Sequence, residues 1–227
     1  MDAAIFGATV SSGSIVSLFG SNLSTNTASA SSIPLPTTLA GTQVLVNGLP
    51  VPLFYVSPSQ INLQLPTGLS ETVTVQVISG TTTGVASTAI VIAESPEIFV
   101  TSGTQGAVLN QDYTPNSATN PAAVGSAILI YATGLGSTNP PLNAGEAGSS
   151  TAPFNVTVNP VTVLVNGQGI PALFSAVAPG FAGLFQINAM IPAGTPISNS
   201  VSLQIQINGQ SSNTVTFSTG SPAQNQQ

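Results

Sequence analysis

The sequence predicts an all-β protein made of two immunoglobulin-like β-sandwich domains in tandem, and three observations predict it. Apolar and polar residues alternate with period two, as in Ile61, Leu63 and Leu65 against Gln60, Asn62 and Gln64; this is the pattern of a strand with one buried and one wet face. No stretch of helical length carries a 3.6-residue apolar period free of Gly and Pro. Finally, the chain repeats itself once, in copies of about 100 residues, the size of a single sandwich.

The repeat fixes the organisation. GSIVSLFG at 13–20 returns as GSAILIYATG at 125–134, and VLVNG at 44–48 returns unchanged at 163–167. PLF at 52–54 is echoed by PALF at 171–174, QIN at 60–62 returns at 186–188, and Pro66 and Pro192 close the two copies. Gly125 lies 112 residues after Gly13, Val163 119 after Val44, and Gln186 126 after Gln60. A drifting offset means that the second copy carries loop insertions while keeping its strands. The first sandwich is expected in residues 1–96, the second with its N-terminal linking segment in 97–220, and a polar tail in 221–227, with the boundary near Pro96.

In chain order, the first copy offers an apolar stretch at 3–10, then the strand inside 13–20, then Val44 and Val46. The period-two strand at 60–65 and Val73, Val75 and Val77 follow. The linking segment contains AVLN at 107–110, a short strand expected to attach to the second sandwich. The second copy repeats the series with Val163 and Val165, then Leu203, Ile205 and Ile207 against Gln204 and Gln206. Asn47-Gly48 and Asn208-Gly209 stand where two-residue hairpin turns demand positive φ.

Composition narrows the function by exclusion. The 227 residues include no Lys, Arg, His or Cys, and the six acids Asp2, Glu71, Glu94, Glu97, Asp112 and Glu146 give a net charge of −6. The usual phosphate anchors, the commonest general base, the usual zinc ligands and the thiol nucleophile are all missing. Nucleic acid is excluded as a partner because affinity for a phosphate backbone comes from cationic contacts, and an anionic membrane surface is disfavoured for the same reason. No apolar run approaches the ~20 residues of a spanning helix, so membrane insertion is not expected. The surface must be built from Ser, Thr, Asn and Gln, which hold their hydration at any pH and offer trypsin no cleavage site; this suits an extracellular life, although a general bias against charge would leave the same trace. Met1 and Asp2 open neither a basic region nor a long apolar one, so no signal peptide is read at this end.

The order GSIVSLFGSNLS at 13–24, then VLVNGLPVPLFYVSPSQINLQLP at 44–66, resembles the immunoglobulin-like IPT/TIG fold. More closely, the chain resembles over roughly 10–218 the C-terminal domain family of secreted acidobacterial (Solibacter-type) proteins. The segments QGAVLNQDYTPNSATNPAAVGSAILIYATGLGSTNPP at 105–141 and APGFAGLFQIN at 178–188 carry that resemblance. It implies a fold and a secreted setting, and it brings no catalytic residues.

Candidate site residues follow. Glu94 and Glu97 with Asp112 are the nearest approach to a constellation, either as calcium ligands at a domain junction or as an acid-base pair, against the plainer role of surface solubility. Asn22-Leu23-Ser24 and Asn155-Val156-Thr157 are glycosylation sequons. Phe54, Tyr55, Phe174, Phe181 and Phe185 form either a sugar-stacking platform or core. Ala3, Ala4, Ile5, Phe6, Ala8 and Val10 make an apolar strand that either opens its own sandwich or completes a neighbour's sheet by β-augmentation, and head-to-tail pairing of that kind generates filaments. The expected function is a non-enzymatic extracellular or cell-surface structural protein without cofactors whose partner is itself, as a homopolymer. The alternative is an adhesion or glycan-binding module of a larger secreted protein.

Overall fold

The structure, a computed structural model, describes Met1, residues 10–69 and residues 71–221. Residues 222–227 of the expected polar tail lie outside the described residues. All regular structure among the described residues is β. The first copy holds β1 (Val10–Ser11), β2 (Ile15–Phe19), β3 (Ala28–Ser29), β4 (Thr42–Val46), β5 (Leu49–Pro50), β6 (Leu53–Val56), β7 (Gln60–Gln64), β8 (Glu71–Ser79), β9 (Thr82–Thr83) and β10 (Ser87–Ile92). One sheet runs β1-β10-β8-β4-β5 with β9 attached to β8, and the other β2-β7-β6-β3. Their apolar faces meet in one core that includes Val44, Val46 and Val73 from the first sheet and Leu53, Ile61 and Leu63 from the second.

The second copy begins with four short strands, β11 (Glu97–Ile98), β12 (Val100–Ser102), β13 (Gln105–Gly106) and β14 (Val108–Asn110). It continues through β15 (Ala122–Ala123), β16 (Ala127–Thr133), β17 (Thr138–Asn139), β18 (Val156–Thr157), β19 (Val161–Val165), β20 (Gln168–Pro171) and β21 (Phe174–Val177). It ends with β22 (Phe185–Met190), β23 (Val201–Ile207), β24 (Gln210–Ser211), β25 (Val215–Phe217) and β26 (Thr219–Gly220). One sheet runs β11-β16-β22-β21-β18-β17 with β14 on β16, and the facing one β12-β13-β25-β23-β19-β20 with β24 on β23. Ile128, Ile130 and Ile187 meet Val163, Leu203 and Ile205 between them, all 0 % exposed. Burying each such side chain contributes roughly 1.5–3 kcal/mol, which is what pins the register of a two-faced strand.

The central strands of the two copies pair in the same register. The β4/β8 pairing of Val44 with Val77 and Val46 with Val75 recurs in β19/β23 as Val163 with Ile205 and Val165 with Leu203. The parallel pair β1/β10 recurs as β15/β26. Asn47-Gly48 and Asn208-Gly209 both take positive φ, as does Asn166-Gly167 in the repeated VLVNG; turns of this hand match the twist of the strands they join. AVLN forms β14 on β16, with Leu109 opposite Leu129.

Candidate functional site

Three features have no counterpart in a bare sandwich: the junction carboxylates, the buried seam between the domains, and one open flank. Glu94 lies between β10 and β11 and is 8 % exposed. Burial of a carboxylate needs donors, and in a chain without cations amides supply them. Asn159 Nδ2 donates to one carboxylate oxygen at 2.8 Å and Asn208 Nδ2 to the other at 3.3 Å. The linker is thereby pinned to two loops of the second sandwich. Three residues on, the Asn213 backbone N–H donates to Glu97 at 3.0 Å, while the Asn213 side chain accepts from Ile98 N–H and donates to Ile98 C=O. Asp112 sits elsewhere, accepting from the Thr114 hydroxyl and backbone N–H. Those two hydrogen bonds, the hydroxyl's first, hold its carboxyl below the ordinary carboxylate value. Among the described residues no group of three or more carboxylates, imidazoles or thiols is placed to hold a metal. Glu94, Glu97 and Asp112 therefore do not form one such group, and each accepts from neutral donors of its own.

The seam is built from residues that the alternation pattern misassigns. Gln64 reads as a wet-face residue, yet it is 5 % exposed. It accepts from the Gly145 N–H of the second copy at 2.6 Å and donates to Gly13 C=O at 3.1 Å. Thr133, 0 % exposed, accepts from Ile15 N–H at 2.9 Å and donates to Gly183 C=O. Gly145 C=O accepts from Leu35 N–H, and Gly134 C=O from Ser95 N–H. Gly183 has φ of 64°, and a Cβ there would lie 2.9 Å from Ile15 and 3.0 Å from Gln64. That glycine is the second of the PGFAG run at 179–183, so this short motif is what lets the domains touch.

The two sequons part company. Asn22 is exposed, at a φ of 55° in the loop after β2. Asn155 is buried: its side-chain oxygen accepts from Ser149 N–H and its amide donates to Pro140 C=O. That side chain has no access for a glycan, which corrects the expectation for the second sequon. Of the assembly-strand residues, Ala3, Ala4, Ile5, Phe6 and Ala8 lie outside the described residues, and Val10 is buried in β1 beside Val91 of its own sheet. The aromatics do not form one platform. Phe185 is core, and Phe174 packs edge-to-face on Phe154 with centroids 5.6 Å apart. Phe54 and the 55 % exposed Phe181 line a groove of about 400 Å³ along the seam.

The third feature is a difference between the copies. In the second, β11 and β14 pair with β16 while β13 pairs with β25, so residues 97–110 close the flank between the sheets. Gly106 lies so near Val215 that a Cβ would come within 2.6 Å of it. Under this cover Leu203, Ile205 and Phe217 are 0 % exposed and Val215 1 %. Strand register places Val75, Val77, Ala89 and Ser87 at the same four positions of the first copy. There Val75, Val77 and Ala89 are only half-buried and Ser87 is exposed. Between them and β2 lies an apolar cavity of about 480 Å³. Among the described residues, Met1 takes a β14-like place, exchanging two hydrogen bonds with Ser17 at 2.8 and 3.0 Å.

No protein-family model matches the chain, and no curated protein matches it. Solved structures similar to it include the full extracellular region of plexin A4, at 13% identity and a TM-score of 0.29 over 94% of this chain. This chain spans 17% of that one. The I9–I11 tandem of titin follows at 12% identity and a TM-score of 0.26, over 95% of this chain and 63% of that one. Domains 4 and 5 of the S-layer protein SbsC are similar at 13% identity and a TM-score of 0.23, over 82% and 72% of the two chains. The tandem immunoglobulin-like architecture stands on the strand order and register described above.

Proposed function

We propose that this chain is a non-enzymatic extracellular structural subunit that assembles with copies of itself into a filament or surface layer. The observation that carries the reading is the state of its sheet edges. β1, β2, β3, β5, β11, β12, β17 and β20 end their sheets among the described residues, and of these only β11 carries a charged side chain, Glu97. Soluble β-proteins guard such edges with charge, Pro or bulges because an open ladder templates pairing with another chain; among these strands Pro50, Pro171, Glu97 and the irregular register of β12 offer that protection and the rest have none. The buried seam supports the reading too, since hydrogen bonds such as Gly145 N–H to Gln64 and Ile15 N–H to Thr133 tie the two sandwiches of one subunit to each other. The extracellular setting is part of the same proposal, and a surface built from Ser, Thr, Asn and Gln with no Lys or Arg for trypsin to cut supports it. Electron microscopy of the purified protein across a range of pH tests the proposal: regular polymers with a two-domain repeat are expected, and a monomer under every condition contradicts it.

A second reading, an adhesion or glycan-binding module, is favoured by the seam groove with Phe54 and Phe181, since aromatic faces stack on sugars. Its readout is glycan binding by a monomer, lost in Phe181→Ala.

A further inference from the structure

The chain builds the same tight turn three times, and in two of them the asparagine side chain is held. Asn47-Gly48, Asn166-Gly167 and Asn208-Gly209 join β4 to β5, β19 to β20 and β23 to β24. Their Asn φ values are 50°, 50° and 47°, and their Gly φ values 80°, 79° and 77°. All three asparagines are exposed. In an Asn-Gly pair the backbone nitrogen of the glycine can reach the asparagine side-chain carbonyl with little obstruction, because glycine has no Cβ to crowd the approach. The three turns offer that chemistry from one backbone shape, and they differ in what the side chain touches. Asn47 Oδ1 accepts from Thr74 N–H at 2.9 Å. Asn208 Nδ2 donates to Glu94 at 3.3 Å. Asn166 donates its backbone N–H to Ser202 C=O at 2.9 Å, but among the described residues its side chain has no hydrogen-bond partner.

We propose that Asn166 is a site of spontaneous deamidation, converted ahead of Asn47 and Asn208. The Gly167 nitrogen attacks Cγ of Asn166, and the bond from Cγ to the side-chain nitrogen breaks. The proton lost by the glycine nitrogen departs with that nitrogen as ammonia, leaving a cyclic succinimide. Solvent water then opens the ring to aspartate or isoaspartate. To react, the side chain must turn its carbonyl carbon onto the glycine nitrogen, and at Asn47 and Asn208 that motion breaks a hydrogen bond first. The consequences differ with position. A carboxylate at 166 adds to the net charge of −6 on a hairpin that gives Glu94 no donor. A carboxylate at 208 would remove a donor from Glu94 and set a second negative charge against it, in a chain without Lys, Arg or His to offset the pair. The Asn208–Glu94 hydrogen bond thus slows the one conversion that would damage the junction.

The test uses the full chain, aged at mildly alkaline pH and digested with pepsin, with mass spectrometry reading amide-to-carboxyl conversion at each asparagine. In the folded chain Asn166 is expected to convert about fivefold faster than Asn47 and Asn208, the factor that one hydrogen bond of ordinary net strength supplies. In concentrated urea the gap between the two VLVNG copies should close, since their local sequence is identical. Glu94→Ala should raise the Asn208 rate by a similar factor and leave Asn166 unchanged; should that variant fail to fold, the comparison within the unaltered chain decides alone. Equal rates at the three sites in the folded chain, a slower Asn166, or a gap between the VLVNG copies that persists in urea overturns the proposal.

Discussion

The two sandwiches of this chain share strands, register and turns, yet one has a sealed flank and the other an open one. Leu203 and Val75 occupy the same place, one 0 % exposed and the other half-buried. What separates them is the segment 97–110, which no local feature of β8 or β23 demands. Completion of a sandwich is thus a property of what is laid beside it, and among the described residues only the second domain carries its own completing piece.

The largest effect expected is a difference between paired positions. Leu203→Ala removes a fully enclosed side chain and should cost about 3 kcal/mol, whereas Val75→Ala, already part-solvated, should cost about 1 kcal/mol or less. Urea unfolding of both variants measures the gap, and equal costs would contradict the contrast. A second effect separates seam from core: Gly183→Val forces a β-branched residue into positive φ against Ile15 and Gln64 and should cost about 2–3 kcal/mol. Small-angle scattering should then report two loosely joined domains with each sandwich intact. Next comes Glu94→Ala, which strands the Asn159 and Asn208 amides and should cost about 1–2 kcal/mol, with Glu94→Gln retaining roughly half of the contact. The loss should fall on the second domain and the seam and spare the first core.

The smallest effect is a pH dependence confined to one copy. Burial raises the Tyr131 phenol above its ordinary value of 10.0, with Tyr113 adding to it. A raised value means that the folded state favours the neutral phenol, so its contribution is complete below the ordinary value and is lost as pH rises through the folded one. Phe19, its counterpart in the first copy, has nothing to titrate. Tyr131→Phe should therefore flatten the alkaline fall in stability and leave the acid limb unchanged, as read by thermal melts from about pH 7 to about pH 11. Asp112 has the opposite sign: its lowered value gives a contribution present above the ordinary carboxylate range and lost as pH falls through it. Because that side chain is fully exposed, solvent screening keeps the effect slight.

Sequence reasoning reaches what is local or repeated. Period-two alternation places Ile61 and Leu63 in the core, and Asn-Gly pairs mark the tight hairpins, because both signals are written in neighbouring residues. Gln64 and Thr133 are not readable, since their burial comes from a partner domain 81 and 118 residues away by hydrogen-bond separation, and nothing nearby in the chain announces it. Glu94 stands out in the sequence for its charge but not for its role, because its donors come from loops far along the chain. Asn155 carries a sequon that reads like Asn22's, and only the tertiary hydrogen bonds to Ser149 and Pro140 separate the two. The open flank is the hardest to foresee: the alternating valines of β8 look as fit for a core as their counterparts, and only the covering strand distinguishes them.

The central contrast is that β8 and β10 of the first sandwich are less enclosed than their counterparts β23 and β25 in the second. Hydrogen exchange of the full chain tests it most directly. The expected result is that amides of β8 and β10 exchange faster than those of β23 and β25. Equal protection of the two pairs of strands would contradict it.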